Sequence, residues 1–347
     1  MRNDPSRSPG GFNPQQIASA KALVRSIDGL IDTHQEEVTR CVTIDPDGQW
    51  AFWIERRRQQ HEYLLRLCVP NAGVIIHADP ILNEEAKTRW QDTSTSSGLA
   101  AQQMIPRILR DRLRFRQART TLALQFEFPI TAQMSNRREE IEIDPSISIH
   151  YGPTFVTKSY TDTEVNKGMN EPGAPDHLHM LRFIARGLQA LRQTNLQELW
   201  ARFTEQTGGL TKKAVWPDAP KEASINDAIS VSRELGWLAN AVAAQTLEQT
   251  NIAGCYRNAV MHVVREGVDR FFPPQIAFRG AWNVQPEPDL VVGYGEQAPI
   301  TNSLGCYPDL LNTYQLYRLA GMLNGTDDEQ APYSRDQIES ILNQFTQ

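Results

Sequence analysis

The apolar residues of the body of this chain change their period from that of strands to that of helices, and that change limits the fold more than any other feature. From Thr39 to about residue 150 the pattern is that of strands. RCVTIDPDGQWAFWI from Arg40 and EYLLRLCV from Glu62 are short β-branched and apolar runs, the first broken by an Asp-Pro-Asp-Gly turn. In TTLALQFEFPI, Leu122, Leu124, Phe126 and Phe128 alternate with Ala123, Gln125 and Glu127, the period of two expected of a half-buried strand, and EEIEIDPSISIHYG continues it. From Asp176 the period is helical. Leu178, Leu181, Ile184, Leu188 and Leu191 share one face, as do Leu235, Leu238, Val242 and Leu247 further on. Strands first and helices later predict an α+β fold, a mixed sheet packed with helices.

Helices are also expected at both ends. NPQQIASAKALVRSIDGLI from Asn13 has helical spacing, and Ser334 with Gln337 forms a capping-box pattern ahead of Ile338, Ile341 and Leu342. The Pro, Gly, Ser and Asn content of residues 1–13 predicts a disordered tail, leaving 14–347 as a single domain. Gly208, Gly209, Lys212, Lys213, Pro217 and Pro220 read as a long surface loop inside it.

A hydrophobic content of 40% against 22% charged residues is that of a folded soluble protein, and a net charge of -6 leaves no global basic field for a polyanion. Any nucleic-acid site must be local. Cys41, Cys68, Cys255 and Cys306 form no CxxC pair and no cluster with histidine, which argues against a zinc site or a disulfide framework and predicts a reducing, cytoplasmic setting. No stretch has the apolar run of a signal peptide or the ~20 apolar residues of a membrane span, so no membrane partner is expected.

Four stretches together resemble the catalytic domain of the ribonuclease II family, the RNB domain, in order and rough spacing. VTIDPDGQWAFW from Val42 resembles the family's opening motif, and MIPRILRDRLRFRQARTTLALQFEF from Met104 its turn, short helix and strand. SRELGWLANAVAAQTLEQTNIAGCYR from Ser232 is similar to the family's E-L-M-x-L-A-N helix and G-I-P-x-x-Y-R turn, with Leu238, Ala239, Asn240, Ile252, Tyr256 and Arg257 matching. ITNSLGCYPDLLNTYQL from Ile300 resembles T-S-P-I-R-R-Y-x-D-L-x-x-x-x-Q-L, with Thr301, Tyr307, Asp309, Leu310, Gln315 and Leu316 retained. KSYTDTEV from Lys158 is similar to the family's turn into a helix. The likeness spans residues 12–345 at low identity. It implies a single RNB-like domain, here expected without the OB-type and cold-shock barrels that usually flank it.

The resemblance also implies chemistry that these residues do not support. Two-metal hydrolysis of RNA needs several carboxylates converging on Mg²⁺ ions. Asp45, with Asp47 as a second candidate, remains of the family's four aspartates, while Trp50, Ala51, Phe52, Trp53 and Ile54 stand where the other acids belong. Gly305 and Cys306 occupy the places of the paired arginines that would hold the scissile phosphate. The family's His-Ala-Asp strand reads Cys68, Val69, Pro70 and Asn71. Asp45, Asp47, Gly305 and Cys306 are thus vestigial positions, with no catalytic set, metal or cofactor expected.

Other residues admit two readings each. Asp45 and Asp47 are plain turn chemistry or residual ligands, and His177 and His179 are surface or capping residues ahead of a metal pair. Arg107, Arg110, Arg112, Arg114, Arg116 and Arg119, beside Phe115, form a solvated or protein-binding face, or track a phosphate backbone. Trp50, Phe52 and Trp53 fill the vacated metal site, or Trp50 and Trp53 stack on a base or a partner.

The reading reached is a non-catalytic RNB-fold protein acting by binding, as a regulatory or assembly partner of a protein or ribonucleoprotein complex. A protein partner or homo-oligomer is favoured and single-stranded RNA is possible. The alternative is a divergent exoribonuclease, working 3′ to 5′ on single-stranded RNA, that takes Mg²⁺ on Asp144, Asp162 or Asp309.

Overall fold

The computed structural model describes residues 11–33, 38–45, 47–57, 61–92, 102–135, 138–144, 146–171, 175–206, 227–265, 275–289, 292–323 and 332–345. The expected loop from Gly208 to Pro220 lies outside the described residues, as does the expected tail up to residue 10. The end of that tail is held in place: Arg89 lies 3.8 Å from the Phe12 ring centre and donates to the Gly11 carbonyl at 2.9 Å.

Helix α1 (Pro14–Thr33) leads into three strands, β1 (Thr39–Thr43), β2 (Ala51–Arg56) and β3 (Glu62–Pro70). The short helices α2 (Ala72–His77), α3 (Pro80–Arg89) and α4 (Arg107–Leu113) follow, then β4 (Arg119–Ser135), β5 (Arg138–Ile143) and β6 (Ser148–Ser159). Helices α5 (Asp162–Asn170), α6 (Asp176–Gln206) and α7 (Ala228–Gln249) precede a two-stranded ribbon, β7 (Tyr256–Arg265) and β8 (Gln275–Asn283), and α8 (Tyr307–Leu323) and α9 (Arg335–Asn343) end the described chain. Capping boxes start α5 at Thr161 with Glu164 and α9 at Ser334 with Gln337, each pairing orphan amides with side-chain oxygens.

The large sheet closes on itself. β1, β2, β3 and β4 pair antiparallel in sequence, β6 pairs antiparallel with β4, and β6 returns to β1 in parallel. A meander of five strands has an odd count, so the pair that closes it must run parallel. β5 and β6 share one edge of the 17-residue β4, with β6 opposite Arg119–Glu127 and β5 opposite Ile130–Ser135.

Closure corrects one expectation. β4 does not have one wet face: Leu122, Leu124, Phe126 and Phe128 are buried outside the barrel, and Ala123 and Gln125 are buried too. The inner side chains are small where the barrel is tightest, one from each strand: Cys41, Ala51, Cys68, Ala123 and Val156, plugged by Phe115. A five-stranded barrel leaves too little width for larger ones. Next to them Thr39 donates to the Gln125 Oε1 at 2.9 Å, and the Gln125 amide donates to Thr154 at 3.1 Å. Farther along, Arg66 pairs with Glu127, and His150 stands 3.8 Å from the same carboxylate.

Outside the barrel lie two cores. One joins Phe52, Leu65, Leu67, Phe126 and Phe128 to the apolar faces of α5, α6 and α7. The other joins α1, α2, α3, α4, α8 and α9, with Ile27, Ile76, Leu82, Leu109, Leu310 and Ile338 at its centre. The helices α2 and α8 touch backbone to backbone at Gly73, where a Cβ would lie 2.4 Å from the Tyr314 nitrogen and 2.8 Å from the Leu310 oxygen. That contact fixes α8 against the barrel end that carries Pro70 and Asn71. Among the described residues, no helix is long and apolar enough to cross a membrane.

Candidate functional site

The residues that matched across the resemblance mostly do structural work. Asn240 of α7 accepts from Ala298 through its backbone oxygen at 3.1 Å and from Ile300 through Oδ1 at 3.0 Å. Asn312 of α8, which is not among the matches, takes the Cys255 amide at 2.8 Å and donates to the Cys255 and Pro299 carbonyls. Gln315 bridges Ala253 to Tyr333. These side chains tie α7, the start of β7 and the segment before α8 into one unit.

The turn that enters α8 is wound on Asn302. The amides of Gly305 and Cys306 both donate to its carbonyl at 2.9 Å, and its own amide donates to Asp309 Oδ2 at 2.9 Å. Asp92 meets the same turn. Its amide donates to the Gly305 carbonyl at 2.8 Å, and its carboxylate receives the Met104 amide at 2.6 Å and a close ion pair from Arg110. A Cβ at Gly305 would stand 2.7 Å from Asn302 Oδ1 and 3.1 Å from Asp92 Oδ2. The space that a family arginine would leave through is therefore occupied.

Between α7, the ribbon and this turn is a cavity of about 680 Å³. Trp237 and Asn240 line it from α7, Arg257, Gly280 and Trp282 from the ribbon, and Asp289, Gln297, Thr301 and Asp309 are among the residues that complete the wall. Arg257 and Trp282 are partners across the ribbon. Trp237 packs against two guanidinium groups, those of Arg192 at 4.6 Å and Arg233 at 5.2 Å from its ring centre.

Asp309 is 4% exposed, and burial pushes its carboxyl up from the ordinary 3.8 to about 6, against the opposing pull of the Asn302 amide, the Cys306 thiol and Arg257. A carboxyl held above its unfolded value favours the protonated protein. Its contribution is complete below the unfolded value and is lost as the pH rises through about 6. Asp309→Asn is expected to raise stability at pH 7.5 by up to about 3 kcal/mol relative to the native chain, and to leave stability at pH 4 nearly unchanged. Urea unfolding at the two pH values measures this; an equal effect at both would show that the carboxyl is not the cause.

The predicted residues do not assemble a hydrolytic centre. The Asp45 carboxylate accepts the amides of Asp47 at 3.0 Å and Gln49 at 2.5 Å, capping its own loop, while burial raises its pKa. Asp47 is exposed and lies 3.9 Å from Arg114. Trp50 is 8% exposed and Phe52 fully buried, both inside the main core, so Trp50 is not available to stack on a base or a partner. Trp53 is half-buried and stacks on His177 at 6.0 Å, whose Nε2 is 2.9 Å from the Tyr160 hydroxyl; His177 thus packs on aromatic rings. Among the described residues no three His, Cys, Asp or Glu side chains come close enough to share a metal ion. These residues do not fit a pair of Mg²⁺ ions. Asp144 is an exposed cap on Ser146, Asp162 is in the first turn of α5, and Asp309 faces inward at the start of α8.

The arginine run divides into buried and exposed members. Arg110 and Arg112 are buried, the one against Asp92 and the other against Asp28 at 2.6 Å and the Thr120 carbonyl at 2.9 Å. Arg116 and Arg119 bind the Asp111 carboxylate and carbonyl, and Arg107 stands 3.4 Å from the Asp111 carboxylate. These contacts brace α4, while Arg107 and Arg116 keep largely exposed side chains. What sequence reasoning missed is the cavity wall. Arg257 carried a signal as a matching position, but nothing local marks Trp237, Trp282, Gln297 or Asp92.

No protein-family profile and no curated protein sequence matches this chain. Solved structures do. The Dss1 exoribonuclease of Candida glabrata, an active-site mutant, matches with TM-score 0.66 at 13% identity over 88% of this chain and 42% of its own. RNase R of Mycoplasma genitalium, in complex with ribose-methylated single-stranded RNA, matches with TM-score 0.62 at 15% identity over 96% of this chain and 61% of its own. Yeast Ssd1, described as a pseudonuclease, matches with TM-score 0.63 at 11% identity over 98% of this chain and 44% of its own. The chain thus spans about two fifths to three fifths of the length of these structures. Their shared fold, the RNB fold of the ribonuclease II family, is the fold of this chain.

Proposed function

We propose that this chain is a non-catalytic member of the RNB fold that works by binding a protein or ribonucleoprotein partner. The observation that carries this reading is the loop from Asp45 to Phe52. Its one enclosed carboxylate is committed to backbone amides, and the positions where a metal-binding acid would follow hold core side chains. Hydrolysis of a phosphodiester by metal-activated water has no ligand set there to start from. The likeness to yeast Ssd1 supports the reading, because it sets the same fold beside a pseudonuclease.

A protein partner is favoured over RNA by electrostatics. RNA affinity grows with the number of phosphates neutralised by Lys and Arg. The densest basic run of this chain is bound to its own carboxylates, and the net charge is -6.

The test is incubation of labelled single-stranded RNA with the purified chain in Mg²⁺ or Mn²⁺, following both cleavage and mobility on a native gel. The expected result is intact, unshifted RNA. Metal-dependent release of mononucleotides would overturn the non-catalytic reading and restore the exoribonuclease alternative. A shifted but intact band would keep the first half of the proposal and replace the protein partner with RNA.

A further inference from the structure

We propose that the cavity beside α8 receives a carboxylate carried on an extended peptide segment, with Arg257 as its anion-binding group. This rests on reading the chain as a non-catalytic binding protein and names what the cavity holds.

Arg257 is the one cationic side chain among the described residues that line the cavity. It is exposed, and its guanidinium makes no ion pair or hydrogen bond with a described residue. Its place is set by packing: a Cβ at Gly280 would lie 2.9 Å from its Nε, and Trp282 is its partner across the ribbon. Its own amide donates to the Gln297 carbonyl at 2.8 Å, so the strand beneath it is fixed. A guanidinium whose backbone is held and whose donors no described residue takes is a ready site for a planar, bidentate anion, which a carboxylate is.

The carboxylates around it do not cancel it. Asp92 is paired with Arg110, Asp289 accepts the Val292 amide at 2.8 Å within its own turn, and Asp309 is turned toward the Asn302 amide and the Cys306 thiol. None of the three is within ion-pair distance of Arg257.

The rest of the wall selects a peptide over a nucleic acid. A phosphodiester chain places a charge at every nucleotide and would meet one arginine and three aspartates here. A peptide places one carboxylate and otherwise offers neutral N–H and C=O groups, to which Asn240, Thr301, Asn302 and Gln297 are suited. The Gln297 side chain is held in the wall, its Nε2 donating to the Glu296 carbonyl at 3.1 Å. Trp237 and Trp282 supply the flat apolar surface on which an extended segment lies. A volume of about 680 Å³ holds a few residues of such a segment.

Three fluorescent decapeptide pools test this on the full chain by anisotropy. One has a free C-terminus and no Asp or Glu, the second is the same pool amidated, and the third is amidated but contains Asp and Glu. A carboxylate-bearing pool is expected to bind about ten-fold more tightly than the acid-free amidated pool, and the one that does so identifies a chain end or a side chain as the source. Arg257→Gln should abolish the difference and Arg257→Lys should keep part of it, with unchanged melting in both because Arg257 is exposed. Equal binding of all pools, a difference that survives Arg257→Gln, or tighter binding of a uridine decanucleotide than of any pool would overturn the proposal. The cleavage assay is separate. Intact RNA with no carboxylate preference removes this inference alone, whereas cleaved RNA removes the reading beneath it.

Discussion

Glu234→Ala is expected to lower folding stability by about 3–5 kcal/mol, the cost of leaving a buried guanidinium without its anion. Glu234 is fully buried and Arg192 is 2% exposed; two parallel hydrogen bonds join them, Nε to Oε2 at 3.0 Å and a terminal nitrogen to Oε1 at 2.9 Å. The pair is also the hub of one cavity wall. Arg192 donates to the Val292 carbonyl at 3.1 Å and stacks on Trp237, and the Tyr294 hydroxyl donates to Glu234 at 3.3 Å. Gly293, with φ of +83°, lets the chain turn there, since a Cβ would stand 2.8 Å from the Arg192 carbonyl. The loss should therefore include loosening of the segment from Asp289 to Tyr294. Replacing both partners, Arg192→Met with Glu234→Leu, should recover most of the stability, because no charge is then left buried. Urea unfolding decides it: a cost below about 1 kcal/mol for Glu234→Ala would mean that water or a shifted side chain satisfies Arg192.

The second large effect concerns acid. His77, the last residue of α2, is ringed by Tyr314 at 4.3 Å, Tyr333 at 5.3 Å and Tyr307 at 6.3 Å. Nδ1 meets the Tyr333 hydroxyl at 3.3 Å, and Nε2 is buried without a hydrogen-bond partner. Burial lowers its pKa from the ordinary 6.5 to about 3, because an imidazolium in that cage would lack both water and an anion. The folded value lies below the unfolded one. Stability from this group is thus complete above pH 6.5 and is lost as the pH falls toward 3, about 5 kcal/mol in all. His77→Phe keeps the packing without the proton site. Between pH 7 and pH 4 the native chain should lose about 3 kcal/mol more stability than this variant does. Equal losses would show that His77 is not the acid-sensitive group. Asp309 acts in the opposite direction over the same range, so the two variants should bend the stability curve in opposite senses.

Local features of the fold were legible wherever the cause is local. The capping box at Ser334 needs residues three apart, and the alternation of β4 or the spacing of α6 is written in a dozen neighbours. The apolar run of Trp50, Ala51 and Phe52 was readable too, because the Asp-Pro-Asp-Gly turn beside it fixes where it falls. Sequence could not assign the arginines their partners. Arg112 meets Asp28 across 84 positions and Arg192 meets Glu234 across 42, and a run of charges carries no mark of which carboxylate folds back onto it.

The division is therefore physical. Sequence by itself determined the strand pattern up to about residue 150, the helices from Asp176, the capping box at Ser334 and the apolar run after the Asp-Pro-Asp-Gly turn, since each depends on residue types within a few positions of one another; it missed the β7–β8 ribbon that follows α7. Tertiary structure decided that the sheet closes, that β4 is buried on both faces, that the arginine run braces α4, and that Arg257 is left facing a cavity between two tryptophans. Those outcomes depend on segments distant in the chain, such as β1 against β6 or α7 against the ribbon, and their partners are chosen by packing and desolvation across the whole fold.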